Sequence, residues 1–131
     1  MKRYAAFAVA VSLWGIAAVS SAGTIASPAI PTGPYNNAGA CYIRNAGSDP
    51  VLLTVAMTRG DGTAIPANFD GCSGNALAAG VTCVVLVYDL PDNVSFACSA
   101  TADGKTKELR GTVELREISP LLRVIAAADL R

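Results

Sequence analysis

The chain has 131 residues, 52% of them hydrophobic, with ten basic residues balancing ten acidic ones and no histidine. Its length suits a single domain, and its neutral charge argues against the basic surface by which proteins bind nucleic acid or anionic lipid. Without histidine, Ser-His-Asp sets, Cys-His sets and histidine-containing zinc sites are excluded within the chain.

The N-terminal residues predict an export signal. A basic Met-Lys-Arg start is followed by an uncharged apolar run over residues 4–19 and by the small residues 20–23. This order is typical of a secretory signal peptide over residues 1–22, and we expect cleavage after Ala22, with Ser20 as the alternative site. An uncleaved transmembrane anchor is the competing interpretation, but the run is shorter than the roughly 20 residues that span a bilayer. Cleavage leaves eight basic and ten acidic residues, a net charge of −2.

The next segment changes from a linker pattern to a strand pattern. Residues 23–39 are rich in Pro, Gly and Asn and predict a flexible leader that adds a short edge strand at most. Over residues 40–131 apolar and polar residues alternate as in half-buried strands. We expect strands at about 40–45 and 51–58 and a short return strand at 63–65. The residues expected to face the core are Cys41, Ile43, Val51, Leu53, Val55 and Met57.

A longer loop interrupts the pattern in the middle of the domain. Residues 66–80 predict a loop with one helical turn at 75–79, followed by strands at 81–89 and 94–100. In the last of these strands the inward positions are those of Val94, Phe96, Cys98 and Ala100.

The C-terminal part predicts further strands. Ala102–Lys105 fits a hairpin turn, because Asp-Gly tolerates positive φ. Residues 108–118 alternate most regularly, with Leu109, Val113 and Leu115 facing inward. Residues 121–128 fit a closing strand or a short helix, and we favour the strand. Short strands with turns at this spacing predict an all-β fold, a small antiparallel sandwich of six or seven strands.

Four cysteines follow the signal segment: Cys41, Cys72, Cys83 and Cys98. In an exported chain an even number indicates disulfides. A four-cysteine zinc site is the competing interpretation, but its usual closely spaced C-x2-4-C pairs are missing. Of the three possible connectivities we expect Cys41–Cys98, both on inward strand faces, and Cys72–Cys83, which flank the long loop.

Two segments carry a resemblance to known proteins. Residues 41–48, Cys-Tyr-Ile-Arg-Asn-Ala-Gly-Ser, resemble the second-strand hairpin of bacterial immunoglobulin-like domains, and Phe96 stands two residues before a cysteine, where those folds often have an aromatic. The four cysteines and Leu-Arg-Gly-Thr-Val-Glu-Leu at 109–115 are similar to small exported bacterial proteins of unknown function. The resemblance implies an immunoglobulin-like sandwich over about residues 40–118 and no particular binding role. The chain departs from the antibody pattern because its only tryptophan, Trp14, lies in the signal segment.

Several motifs are candidate sites with simpler alternative interpretations. Arg59-Gly60-Asp61 matches an integrin-type adhesion tripeptide, although a turn that requires glycine is favoured. Asn93-Val94-Ser95 fits the glycosylation sequon, although a turn entering a strand accounts for it as well. Turn aspartates are candidate calcium ligands, but they more often accept backbone hydrogen bonds; they are Asp61, Asp70, Asp89, Asp92 and Asp103.

The predicted outer strand faces provide two further candidates. Tyr42 and Tyr88 are expected to point outward, either as a binding patch or as cross-strand packing partners. One strand face mixes both charges and predicts either a partner surface or a solvated face with cross-strand ion pairs; its residues are Glu108, Arg110, Glu114 and Arg116.

These features predict a secreted or periplasmic, non-enzymatic binding or accessory domain. We expect no catalytic, cofactor-binding or metal-binding residues. The expected partner is another envelope or extracellular protein, with no nucleic acid and, after signal cleavage, no membrane. The alternative is a structural envelope or extracellular component that self-associates through an exposed strand edge. A carboxylate-based hydrolase needs only two acidic residues, but so small a sandwich leaves little room for a cleft.

Overall fold

The computed structural model describes residues 22–34, 37–104, 106–118 and 123–131. In these residues the chain is almost entirely β, with one short 3-10 helix at Thr106–Glu108, which confirms the all-β class. Apart from Ala22, the expected signal peptide lies outside the described residues. The described part contains no helix that is long and apolar enough to cross a membrane.

The described strands form two antiparallel sheets that pack face to face. In chain order they are β1 (Ala22–Ala26), β2 (Ile30–Pro31), β3 (Asn37–Asn45), β4 (Val51–Arg59), β5 (Ala64–Ile65), β6 (Phe69–Asp70), β7 (Ala76–Leu77), β8 (Thr82–Leu90), β9 (Ser95–Asp103), β10 (Leu109–Glu117) and β11 (Val124–Leu130). The six-stranded sheet has the order β1-β9-β4-β5, with β2 also paired to β9 and β7 to β4. The five-stranded sheet has the order β11-β10-β3-β8-β6. Seven of these strands have five or more residues, in agreement with the expected six or seven.

The core lies between the two sheets and is built from alternate residues of the long strands. The inward residues expected from the sequence are buried, with Val94 half-buried as the exception. Cys41 of β3 bonds to Cys98 of β9 across the core, with a Cα–Cα distance of 6.2 Å. Cys72 and Cys83 also bond, and they fasten the long loop to β8. These are the two pairs expected from the sequence.

Gly39 shows how tightly β3 packs onto the other sheet. A Cβ at this position would lie 2.7 Å from Met57 Cε and 3.0 Å from Phe96 Cε2. Since real side chains do not approach so closely, a larger residue would displace the buried Phe96 ring. The aromatic that precedes Cys98 is therefore a core residue.

The segment 23–39 differs from the expected flexible leader. β1 pairs with β9 from Ala22 to Ala26, and β2 pairs with β9 at Ile30 and Pro31. Ile25 and Ile30 are buried in the core, and β3 begins at Asn37 rather than at residue 40. Strands this short give no detectable period, so the sequence showed only the Pro and Gly residues between them.

The expected helical turn at 75–79 is wrong, because that segment contains β7. Leu77 is buried opposite Val51 of β4. The side-chain amide of buried Asn45 donates to the Leu77 carbonyl at 3.0 Å. The burial of Leu77 and this bond hold the segment extended, which overrides the helix propensity of its alanines.

The expected hairpin at 102–105 is also wrong. Strands β9 and β10 belong to different sheets, so the chain crosses the edge of the sandwich here. Gly104 has φ 103°, so the glycine does form a tight turn, but the strands on either side of it do not pair with each other. By contrast, β11 confirms the strand interpretation of the C-terminal segment, although it runs to Leu130 and residues 119–122 lie outside the described part.

Candidate functional site

The outer face of the five-stranded sheet carries a row of arginines. Arg44 on β3 lies directly opposite Arg110 on β10. Arg131 follows Leu130, the partner of Gly111, so the register places it next to Arg110, just past the end of β11. We call Arg44, Arg110 and Arg131 the arginine row. Arg44 and Arg110 belong to neighbouring strands, which lie about 4.8 Å apart in a sheet, and Arg131 directly follows the next strand, β11.

The arginine row lines an open cavity with a volume of about 470 Å³. We call this cavity the arginine groove. Its other polar walls are formed by Tyr42, Thr82, Thr112 and Asp129. The Thr112 hydroxyl donates to Asp129 Oδ1 at 3.5 Å. With three arginines and one aspartate in its lining, the groove has an excess of positive charge on a chain that is neutral overall.

Like charges directly opposite each other on neighbouring strands destabilise a sheet by about 0.2–1 kcal/mol per pair. Arg110 partly avoids Arg44, because its Nη1 donates to the carbonyl oxygens of Lys107 at 2.7 Å and Leu109 at 2.8 Å. These bonds hold the Arg110 guanidinium against the backbone at the start of β10. The pairing of Arg44 with Arg110 is therefore unfavourable for the sheet, and the hydrogen bonds of Arg110 offset part of that cost.

Tyr42 lies beside the row and has one neighbour over its ring. The Arg116 guanidinium carbon is 5.6 Å from the Tyr42 ring centroid, a cation–π distance. Glu114 Oε2 accepts from Arg116 Nε at 2.9 Å and from Nη2 at 2.6 Å. These hydrogen bonds raise the pKa of Arg116 above its ordinary value. The mixed-charge face thus contains an ion pair within β10, where cross-strand pairs were expected.

Apolar side chains occupy the same face farther along β8. Phe69 of β6 lies opposite Leu86, and its side chain is 51% exposed. Tyr88 is 46% exposed, and Val84 and Leu86 are half-buried. We call Phe69, Val84, Leu86 and Tyr88 the apolar patch. Both tyrosines therefore lie on the outer face, as expected, but at different places on it.

The Arg59-Gly60-Asp61 motif lies in the β4–β5 turn. The Gly60 amide donates to the Ser95 carbonyl at 2.8 Å, and a Cβ at Gly60 would overlap the Ser95 hydroxyl. Asp61 Oδ1 accepts from the Thr63 amide at 2.8 Å, which lowers the pKa of Asp61. The turn geometry alone accounts for the glycine and the aspartate of this motif.

The candidate calcium ligands are not brought together as a metal site. Among the described residues no three His, Cys, Asp or Glu side chains form a group that fits a metal ion. Asp70 Oδ1 accepts from the amides of Cys72 at 2.8 Å and Ser73 at 2.9 Å. Burial raises the pKa of Asp70, but these hydrogen bonds outweigh it, so the pKa is lowered overall. Asp61 and Asp70 therefore act as turn acceptors.

The sequon at Asn93 also lies in a turn. Asn93 has φ 55°, a conformation that asparagine tolerates better than most residues. The next amide, that of Val94, donates to the Thr32 hydroxyl at 3.0 Å. This geometry agrees with a turn that leads into β9.

The arginine row is the feature that sequence reasoning missed. Arg110 was noted as part of the mixed-charge strand, but Arg44 and Arg131 are far from it in the chain. Only the register of β3, β10 and β11 brings the three together. Comparisons with protein-family models, with curated proteins and with solved structures gave no significant match. The all-β fold and the two disulfides are the parts of the expected resemblance that the structure contains.

Proposed function

We propose that the protein is an exported, non-enzymatic binding domain that holds an anionic ligand in the arginine groove. The observation that carries this proposal is the direct cross-strand pairing of Arg44 with Arg110. Directly opposed like charges destabilise a sheet, and local folding rules are most often broken at functional sites. A bound anion would offset that cost.

The chemistry of the groove suits a carboxylate or a phosphate. Guanidinium groups present planar pairs of N–H donors that match the two oxygens of such anions. The Thr82 and Thr112 hydroxyls add neutral donors in the same lining. Since the whole chain has no net charge, the positive potential is local to the groove.

Two disulfides indicate a non-reducing environment. Together with the expected signal peptide they support a secreted or periplasmic domain. Loops and faces on a rigid sandwich are common binding surfaces, and the core disulfide ties β3, which carries Arg44, to the opposite sheet.

Self-association through a strand edge has less support. Among the described strands, β11 is the long edge of the five-stranded sheet, and its pairing with β10 is irregular at Leu115–Arg116. Its end is also joined to the other sheet, because Ala26 and Arg131 exchange backbone hydrogen bonds of 3.0 and 3.1 Å. Bulges and covered ends make an edge a poorer template for another strand.

A binding titration tests the proposal. The exported, oxidised protein is titrated at low salt with inorganic phosphate, polygalacturonate and poly-glutamate while its backbone amide shifts are followed by NMR. At least one of these anions should shift the amides of Arg44, Arg110 and Thr112. Arg44→Gln should weaken binding about tenfold, as expected for loss of a charged hydrogen bond.

Arg59→Gln is the matched control, because Arg59 is an exposed arginine on the β4–β5 turn, away from the groove. It should leave the affinity unchanged. If none of the three anions binds, or if Arg59→Gln weakens binding as much as Arg44→Gln, the proposed function is wrong.

A further inference from the structure

Building on the proposed anion-binding function, we propose that the ligand is an acidic and partly apolar segment of a partner protein. Its carboxylates contact the arginine row, and its apolar side chains cover the apolar patch. The juxtaposition of these two surfaces on one sheet face carries the inference.

The spacing of the two surfaces fits an extended peptide. Thr82, opposite Arg44, and Leu86, opposite Phe69, are four residues apart on β8. At about 3.3 Å per residue this separation is about 13 Å. An extended peptide places side chains on one side at every second residue. If one residue of the bound peptide is acidic and lies over the arginine row, the peptide residue four positions farther along therefore lies over Leu86 and Phe69.

The composition of the face also suits a protein partner. Exposed aromatic and arginine side chains are enriched at protein–protein interfaces. Phe69 and Tyr88 are each about half exposed on this face, and a bound peptide would remove their apolar surface from water. A small inorganic anion in the groove would leave that surface uncovered.

An acidic polysaccharide fits the same face less well. Sugar rings commonly pack on a free aromatic face, and the aromatic ring nearest the arginine row is that of Tyr42. The Arg116 guanidinium lies over this ring at 5.6 Å and is held there by Glu114. The face of the Tyr42 ring that Arg116 covers is thus withheld from a ligand.

Labelled synthetic peptides test the inference through fluorescence anisotropy with the oxidised protein. The acidic–apolar probe is Glu-Thr-Glu-Thr-Leu-Thr-Phe, capped at both ends, and its partner probe replaces each Glu by Gln. The acidic–apolar probe should bind at least tenfold more tightly than the Gln probe. It should also bind more tightly than polygalacturonate measured by competition.

Substitutions on the protein separate the two surfaces. Arg44→Gln should weaken binding of the acidic–apolar probe about tenfold, and Phe69→Ala should weaken it several-fold. Leu52→Ala is the control for Phe69→Ala, because Leu52 is 49% exposed but lies on the other sheet. Leu52→Ala and Arg59→Gln should have no effect.

The outcomes distinguish the two proposals. If polygalacturonate or phosphate binds in the groove but the acidic–apolar probe does not, the peptide inference is wrong and the anion-binding function stands. The same holds if the probe binds but Phe69→Ala has no effect. If no anion binds at all, both proposals fail.

Discussion

The two outer faces of the sandwich differ most in their charged side chains. On the six-stranded sheet the outward positions of β4 and β9 carry mostly small residues with hydroxyl or methyl groups, and the exposed leucine is Leu52. On the five-stranded sheet the outward positions of β3 and β10 carry arginine, glutamate and tyrosine. Both sheets pack on the same core and are built from strands of similar length. Folding alone therefore does not explain the contrast between their outer faces.

The Thr24–Thr101–Thr54 row on the six-stranded sheet is the counterpart of the arginine row. It too crosses three neighbouring strands at directly paired positions. Thr24 and Thr101 share a hydroxyl–hydroxyl hydrogen bond of 3.0 Å, an arrangement that stabilises a sheet. The threonine row thus stabilises its sheet, whereas the directly paired Arg44 and Arg110 destabilise theirs. The arginine row therefore reflects a second requirement, which we assign to binding.

The largest predicted effect comes from the Cys41–Cys98 disulfide, which links the two sheets. Replacing Cys41 and Cys98 by alanine should lower the free energy of unfolding by about 4 kcal/mol, because the bridge closes a loop of 57 residues. Replacing Cys72 and Cys83, which are separated by 11 residues, should cost about 3 kcal/mol. Urea unfolding monitored by circular dichroism measures both values. A larger loss for the second pair would contradict the assignment of Cys41–Cys98 as the main link between the faces.

The contrast between the two rows predicts that paired arginines are unfavourable on either sheet. In a double-mutant cycle of Arg44→Thr and Arg110→Thr, the arginines should show an unfavourable coupling of about 0.2–1 kcal/mol. Thr54→Arg combined with Thr101→Arg should create a coupling of the same sign on the other sheet. Arg44→Thr alone should leave the unfolding midpoint unchanged or raise it, while weakening anion binding.

Salt provides the control for these cycles. Both unfavourable couplings should shrink as ionic strength rises, because exposed charges are screened within about 10 Å at 0.1 M salt. A favourable coupling between Arg44 and Arg110 at low salt would show that the row stabilises the sheet by itself. The stability argument for a binding site would then be lost.

Local patterns predicted the interior of the protein well. Cys41, Ile43 and Phe96 were placed on inward faces because burial alternates along a strand. The same alternation indicated the Cys41–Cys98 pair, whereas the Cys72–Cys83 pair was expected from the loop between the two cysteines. The outer site was harder to predict, because a row across strands depends on which strands are neighbours and in which register. Arg44 and Arg110 are 66 positions apart in the sequence, and no local period connects them.

The first strands escaped prediction for a related reason. β1 has five residues and β2 has two, too few to establish an alternation. Ile25 and Ile30 enter the core only because β9 supplies a pairing edge for both strands. The surrounding fold therefore determines the structure of this segment, and its own composition of Pro and Gly suggested a linker.

The smallest predicted effect is a pH dependence from Asp70 at the edge of the five-stranded sheet. Asp70 follows Phe69 of the apolar patch and accepts hydrogen bonds from two backbone amides; burial raises its pKa, but these bonds outweigh it and lower the pKa in the folded protein. A carboxylate whose pKa is lowered by folding stabilises the protein above its unfolded pKa, near 3.8, and this contribution is lost as the pH falls through the folded value. The threonine row on the other sheet contains no carboxylate. Asp70→Asn should therefore reduce the fall in the free energy of unfolding as the pH is lowered into the acid range. Thr101→Ser should leave the pH dependence of the free energy of unfolding unchanged. Equal slopes for the wild type and Asp70→Asn would show that the hydrogen bonds of Asp70 do not secure the edge that carries Phe69.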